Sequence, residues 1–271
     1  MIAIASLLAI GCVPSQSERQ PVSQAPTFSR LPTNTKPPQL SAATQKPTAK
    51  QLFQIMETTI GKSVEGRDIK MLRLGTAAPV MLIMAGIHGD EVNSCTLIDR
   101  FIALQKSESL THAGSIVFIP RANPDGFFKR VRRNAHGVDL NRNFPSANWA
   151  EGPKGQFYGG PSPLSEPESH AIHRIIEELK PSMIVSIHSI WAGGQCNNYD
   201  GPGKAIAEAM NMKNHFPVKA SIGYPTPGSL GNWAGNDKKI PIITLEMPPK
   251  VTDDKMWIEN CDALRAAISA R

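Results

Sequence analysis

The chain has 271 residues, of which 41% are hydrophobic and 19% charged, so one large domain or two small ones can bury a sizeable core. The net charge is +6, owed in part to Lys129, Arg130, Arg132 and Arg133. No nucleic-acid-binding signature accompanies that charge and aromatics are only 6% of the residues, which argues against a nucleic-acid partner.

Met1 to Ile10 is almost wholly apolar and ends in Ala9-Ile10-Gly11-Cys12. It is too short to span a bilayer and is similar to the apolar core of a secretory signal, and the small residue before Cys12 resembles a bacterial lipoprotein cleavage site. The expectation is an exported protein, periplasmic or membrane-anchored, with residues 1–12 as the signal segment and Cys12 as the lipidated first residue of the mature chain. Its membrane contact would run through that anchor alone, and without a functional signal the protein would be cytoplasmic. Residues 13–50 are rich in Pro, Ser, Thr and Gln and poor in large apolar residues; such a segment cannot offset its ordering entropy by burial and reads as a tether. Residues 51–271 then form the catalytic domain. Cys95, Cys196 and Cys261 are an odd number without a C-x-x-C pair, so neither a complete disulfide framework nor a structural zinc site is expected; Cys95 falls on an apolar helix face.

Gln51 to Ile60 has helical spacing through Leu52, Ile55 and Met56, with Gly61 as a stop. Asp68 to Leu74 and Val80 to Ala85 read as strands, Val92 to Leu104 as an amphipathic helix, and Ser115 to Pro120 as a strand. Arg121 to Asn148 lacks any period; a loop that long in a compact domain is usually functional. Ser165-Glu166-Pro167-Glu168 has the form of a capping box opening a helix to about Leu179. Met183 to Ile187 is a strand, Ala192 to Gly203 a second polar loop, Lys204 to Met212 a short helix, Ile240 to Leu245 a strand, and Thr252 to Ala270 a closing helix. Strands alternating with helices predict an α/β fold: a mixed, largely parallel central sheet with helices on both faces.

His88 and Glu91, three apart where a strand gives way to a helix, have the spacing of two ligands of one metal ion. His188 and Glu246 end two further apolar strands, at the sheet edge where open α/β sheets bind ligands. Two histidines and a carboxylate form a zinc set that leaves a position open, which marks a catalytic site. Such a site also needs a carboxylate to move protons, and a buried strand has no structural use for an unpaired one; Glu246 is therefore the candidate base.

These residues resemble the zinc carboxypeptidase family of the carboxypeptidase A type over about residues 55 to 268. The matching motifs are His88-Gly89-Asp90-Glu91, His188-Ser189 and Gly137-Val138-Asp139-Leu140-Asn141-Arg142-Asn143-Phe144. The resemblance implies an α/β/α sandwich and one zinc ion per chain on His88, Glu91 and His188. It makes Asp139 the residue that orients His88, and Asn141 with Arg142 the holders of the substrate's terminal carboxylate, for which an Arg fork suits. Arg132 takes the position of the oxyanion-stabilising arginine, with the adjacent Arg133 as its rival. Tyr224, 22 residues before Glu246, takes that of the tyrosine that closes over substrate.

Tyr224-Pro225-Thr226-Pro227-Gly228-Ser229, Asn123-Pro124-Asp125-Gly126 and Glu246-Met247-Pro248-Pro249 are similar to the bacterial branch that includes murein tripeptide amidase. That branch cuts between γ-D-glutamate and meso-diaminopimelate, so the resemblance implies a murein stem peptide as partner; no protein partner is inferred. The loop Pro225 to Asn236 contains no Asp or Glu, which argues against a pocket selecting C-terminal Lys or Arg through a buried carboxylate. Lys129, Arg130 or Arg133 are candidates for the far carboxylate of diaminopimelate, against a plain solvated basic loop. His170 and His173 read as surface histidines. Two rival functions are an N-acyl amino-acid deacylase of the aspartoacylase type, opposed by Tyr224 and the export signal, and a non-catalytic murein-binding lipoprotein, opposed by the full set of site residues.

Overall fold

The computed structural model of the protein describes residues 55–108 and 114–270. The expected signal segment, Cys12 and the tether lie outside the described residues. In chain order the strands are β1 (Ile55–Lys62), β2 (Asp68–Leu74), β3 (Val80–Ala85), β4 (Ser115–Ile119), β5 (Met183–Ser189), β6 (Cys196–Asp200), β7 (Val218–Lys219) and β8 (Ile242–Met247). The helices are α1 (Val92–Glu108), α2 (Pro124–Lys129), α3 (Pro167–Leu179), α4 (Lys204–Asn214) and α5 (Asp253–Ser269), joined by a 3-10 turn at Leu140–Arg142 and a π-helical turn at Gly231–Asp237.

The strands join in one mixed sheet of order β1-β2-β4-β3-β5-β8-β6-β7. Its centre, β4-β3-β5-β8, is parallel, with antiparallel pairs at β1–β2, β2–β4 and β6–β8. Because β3, β5 and β8 are neighbours and run the same way, their C-terminal ends meet at one edge. Central strands buried on both faces explain the unbroken apolar runs of β3 and β4.

Helices α1, α4 and α5 cover one face, packing Leu97, Ile98, Phe101, Met210 and Leu264 against Ile83, Val185 and Leu245. Helix α3 covers the other with Ile172, Ile175 and Ile176, joined by Leu140, Phe144 and Trp233 over Leu82, Met84 and Ile184. Each such side chain stabilises the fold by about 1.5–3 kcal/mol through burial. Thr252 caps α5, its hydroxyl accepting from the Lys255 N–H at 3.3 Å, with Asp253 and Asp254 favourably placed in the first turn. Among the described residues no helix is long and apolar enough to cross a membrane.

Four expectations are corrected. Residues 55–62 are a strand where the apolar spacing predicts a helix: the β-branched run Thr58-Thr59-Ile60 pairs antiparallel with β2, and pairing outweighs the local period. Gly61 is no helix stop; a Cβ there would lie 2.8 Å from the Cβ of Ala171 on α3. The capping box at Ser165 does not form. Glu166 is the N-cap residue and makes no side-chain cap bond, while Pro167 opens α3. Glu166 and Glu168 instead both accept from the buried Asn134 side chain, at 2.7 and 3.1 Å, fastening the 121–148 segment to α3. The loop expected at Ala192–Gly203 contains β6, whose polar sequence hides a strand because its buried Asn197 is satisfied reciprocally by Asn214 at 3.0 Å. Lastly, the strand expected to end at Leu245 runs on to Met247, so Glu246 lies within β8.

Candidate active site

Past β3 the chain turns sharply through Gly86-Ile87-His88-Gly89 into α1. Gly89 is required here, because a Cβ would collide with the backbone of Gly126 at α2. The turn aims His88 and Glu91 at one point, and His188, near the end of β5, reaches the same point. His88 Nδ1 lies 2.6 Å from Glu91 Oε1, His188 Nδ1 3.1 Å from Glu91 Oε2, and the two Nδ1 atoms are 3.2 Å apart. Among the described residues, these three form the group whose ligand atoms could hold a metal ion.

The far side of each ring decides its tautomer. His88 Nε2–H donates to Asp139 Oδ1 at 3.1 Å, and His188 Nε2 pairs with Ser186 Oγ at 3.0 Å. With both rings in the Nε2–H form, the two Nδ1 lone pairs and the Glu91 carboxylate make a donor set that fits a divalent zinc ion, whose binding displaces the proton that His88 otherwise holds. The charges agree. Burial works to lower the His88 pKa, but Glu91 and Asp139 outweigh it and hold the ring up to about 9. Burial works to raise Glu91 and Asp139, yet the facing histidines hold Glu91, and His88 with Arg132 holds Asp139, well below the usual carboxylate range. His188 is lowered by burial. The pocket is thus built around positive charge.

Glu246 is the direct partner of His188 across the parallel β5–β8 pair, so their Cα atoms are about 4.8 Å apart. Burial, with the charge of Glu91 beside it, pushes its carboxyl up to about 8. A carboxyl held that far up is poised to take and return a proton near neutral pH.

Asp139 ties this centre to the segment beyond it. Besides His88, it accepts from the Asn141 N–H at 3.0 Å and from Arg132 Nε and Nη2 at 3.1 and 2.9 Å. Arg132 thereby stands 3.6 Å from Glu91 and lines the cavity, whereas Arg133 turns away to the Gly155 carbonyl. Arg142 is buried, its Nη1 donating to the Asn141 carbonyl at 2.7 Å. The Asn141 side-chain oxygen accepts from the Leu230 N–H, so its amide NH2 remains as the donor for a ligand.

These groups line a cavity of about 610 Å³. Lys129, Arg130 and Arg133 do not line it, in keeping with the solvated basic loop and not with carboxylate partners: Lys129 pairs with Glu65 and Arg130 stacks on Phe127. Tyr224 stands at the mouth between Phe157 and Trp191, ring centroids 6.1 Å from each. Its phenol is raised by burial despite the nearby Arg142.

The zinc carboxypeptidase family matches residues 48–199 of the chain. The chain belongs to the zinc carboxypeptidase family. This zinc carboxypeptidase is 37% identical over 186 residues to murein peptide amidase A of Escherichia coli K12, spanning 64% of the chain and 73% of the relative. It is 31% identical over 235 residues to murein peptide amidase A of Vibrio campbellii, spanning 82% and 90%. The solved murein-tripeptide amidase of Escherichia coli O157 superposes with a TM-score of 0.66 at 29% identity, covering 83% of this chain and 96% of that one. The protein is a metallopeptidase, and nothing favours the deacylase alternative.

Sequence reasoning missed four residues of this zinc carboxypeptidase's cavity. Phe157 covers both arginines, its ring centroid 5.4 Å from each guanidinium carbon, and Trp191 is exposed at the rim. Asn198 and Asp200 come from β6, the strand read as a loop. Asp200 adds to the cavity wall a carboxylate from β6, where the 225–236 loop supplies none. A polar run alternating Asn198 and Asp200 on one face was the available signal. Of the two histidines set aside, His170 is exposed, but His173 is half-buried against Trp233, ring centroids 4.6 Å apart.

Proposed function

We propose that this zinc carboxypeptidase releases diaminopimelate from murein stem peptides by hydrolysing the γ-D-Glu–meso-diaminopimelate bond, with one zinc ion on His88, Glu91 and His188. The observation that carries this reading is the meeting of two Nδ1 atoms and the Glu91 carboxylate at one point beside the buried Glu246. The identity to murein peptide amidases in two organisms supports the substrate.

When bound, zinc supplies a Lewis acid that polarises the scissile carbonyl and acidifies water. The protein's side chains do the rest. Arg142 and the Asn141 NH2 hold the terminal carboxylate of the leaving residue and so fix which bond is presented. Glu246 takes the proton of the attacking water and delivers it to the leaving amine. Arg132, braced by Asp139, stands where negative charge develops on the carbonyl oxygen; a preset cation in a drying site lowers the barrier by about 3–4 kcal/mol. Tyr224, Phe157 and Trp191 close the mouth and exclude water.

The reading is tested by incubating the zinc-loaded protein with L-Ala-γ-D-Glu-meso-diaminopimelate and following free diaminopimelate by chromatography. Release by the wild type and not by Glu246→Gln is expected; an intact peptide in both overturns it. We further propose that the protein is exported and anchored through a lipid on Cys12, supported by the apolar segment ending in Gly11-Cys12. Radiolabelled palmitate should enter the wild type and not Cys12→Ala.

A further inference from the structure

Phe157 is an aromatic residue that the fold itself does not use. It is 49% exposed, ends the mostly exposed stretch 147–157, and packs into neither apolar core. Its place is nonetheless fixed, and by the segment that carries the arginines. On one side of it, Arg133 Nη1 donates to the Gly155 carbonyl at 3.0 Å; on the other, the Asp139 N–H donates to the Tyr158 carbonyl at 2.8 Å. The Tyr158 N–H closes the turn onto the Gly155 carbonyl at 3.3 Å.

The ring that this turn presents faces two cations at once. Its centroid lies 5.4 Å from the guanidinium carbon of Arg132 and 5.4 Å from that of Arg142, within the roughly 6 Å over which a ring attracts a cation. Arg132 also has Asp139 at 2.9 Å and Glu91 at 3.6 Å. Arg142 is buried, yet among the described residues no carboxylate pairs with it; its Nη1 donates to the Asn141 carbonyl. The carboxylates thus serve one arginine, and the ring serves both. A further carboxylate at Arg142 would match its charge but take up the N–H donors that a ligand needs. An aromatic face attracts the same charge and leaves those donors free.

We infer that Phe157 is a positioning residue of the reaction: its ring holds the Arg132 and Arg142 guanidinium groups in place while leaving their N–H donors to the substrate. The inference rests on the proposed function in the roles given to the two arginines. It goes beyond closing the mouth of the cavity, which any apolar side chain of similar size would do.

The test compares the zinc-loaded full chain with Phe157→Leu, which keeps an apolar cover without the aromatic face, and Phe157→Tyr, which keeps both. On L-Ala-γ-D-Glu-meso-diaminopimelate, Phe157→Leu should raise KM and lower kcat, each by about three- to tenfold, as for one lost cation–π contact apiece. Phe157→Tyr should stay within about twofold of the wild type. Equal parameters in the Leu and Tyr variants overturn the inference, since a cover that only excludes water predicts that result. On the same peptide ending in a carboxamide, the KM effect of Phe157→Leu should shrink and the kcat effect persist; an undiminished KM effect overturns the link to Arg142. A second measurement needs no substrate. Nitrogen-15 relaxation should find the Nε–H bonds of Arg132 and Arg142, assigned from Arg132→Lys and Arg142→Lys, ordered in the wild type and Phe157→Tyr and loosened in Phe157→Leu. Loosening in a protein whose wild type leaves the murein peptide intact overturns the substrate and keeps the positioning. Equal order in all three proteins overturns the positioning, whichever peptide is cut.

Discussion

His188 and Glu246 are direct partners across two parallel strands, which sets a ring nitrogen of the proposed metal site beside the carboxyl proposed to transfer protons. Strand pairing fixes their spacing more firmly than any loop could, and it brings together groups 58 residues apart in sequence. The strand-borne groups, set off from the loop-borne ones, give the first expectation.

Glu246→Gln removes the proton carrier and leaves the ligands in place. kcat should fall by about 10²–10⁴-fold while bound zinc, read by plasma mass spectrometry, stays near one per chain. With the metal chelated, the Glu246 carboxyl should titrate near pH 8 by carbon-13 NMR, since burial and Glu91 disfavour its charged form. Adding zinc puts positive charge beside it, favours the carboxylate and moves the titration down. kcat/KM should therefore rise with pH through that lowered value and be lost below it; an acid limb unchanged in Glu246→Asp would contradict the assignment.

Asp139→Asn replaces a carboxylate that accepts from His88, Arg132 and Asn141 at once. The amide cannot hold His88 in the Nε2–H tautomer as strongly and leaves the Arg132 charge unmatched. Zinc affinity, measured by competition with a chelator, should drop about 10–100-fold.

Arg142→Lys keeps the charge and loses the planar fork in a buried position. KM should rise about tenfold or more with a smaller change in kcat, since the clamp binds ground state and transition state alike. A substrate with a C-terminal carboxamide should cost the wild type a similar factor. On that substrate Arg142→Lys should add little, which double-cycle kinetics would read directly.

Asp125 is a stability element away from the chemistry. Its buried carboxylate accepts from Ser63 Oγ at 2.7 Å, the Glu65 N–H at 2.9 Å and Arg67 at 2.6 Å, joining the β1–β2 turn to α2. Burial would raise its pKa, but these donors win and lower it from the ordinary 3.8. A depressed carboxylate gives stability that is fully present above its unfolded pKa and lost as pH falls through the folded one. Asp125→Ala should cost about 2–3 kcal/mol at pH 7. The gap in thermal midpoint between wild type and variant should narrow below about pH 3.8.

The sheet's central strands were legible because burial on both faces leaves unbroken apolar runs, and the residues ending them stand out by chemistry. His88, Glu91, His188 and Glu246 are legible for that reason. β1 and β6 were not: each takes its structure from a partner strand, Asp68–Leu74 for one and Ile242–Met247 for the other, so a local window carries only a weak trace of them. Glu166 and Glu168 misled for a similar reason, their carboxylates being drawn to Asn134 across 32 and 34 residues of chain. Phe157 was invisible because nothing in its own neighbourhood marks it as the cover of two distant guanidinium groups.

The placement of β6 next to β8, and outside the run β3-β5-β8, has an evolutionary consequence. The proposed bond-breaking groups and the cavity wall formed by Asn198 and Asp200 sit on different strands, with β8 and β6 joined by one line of backbone pairing. Substitutions at Asn198 or Asp200 can reshape that wall without touching His88, Glu91, His188 or Glu246. The cavity can thereby vary along the polar strand while the centre keeps its geometry.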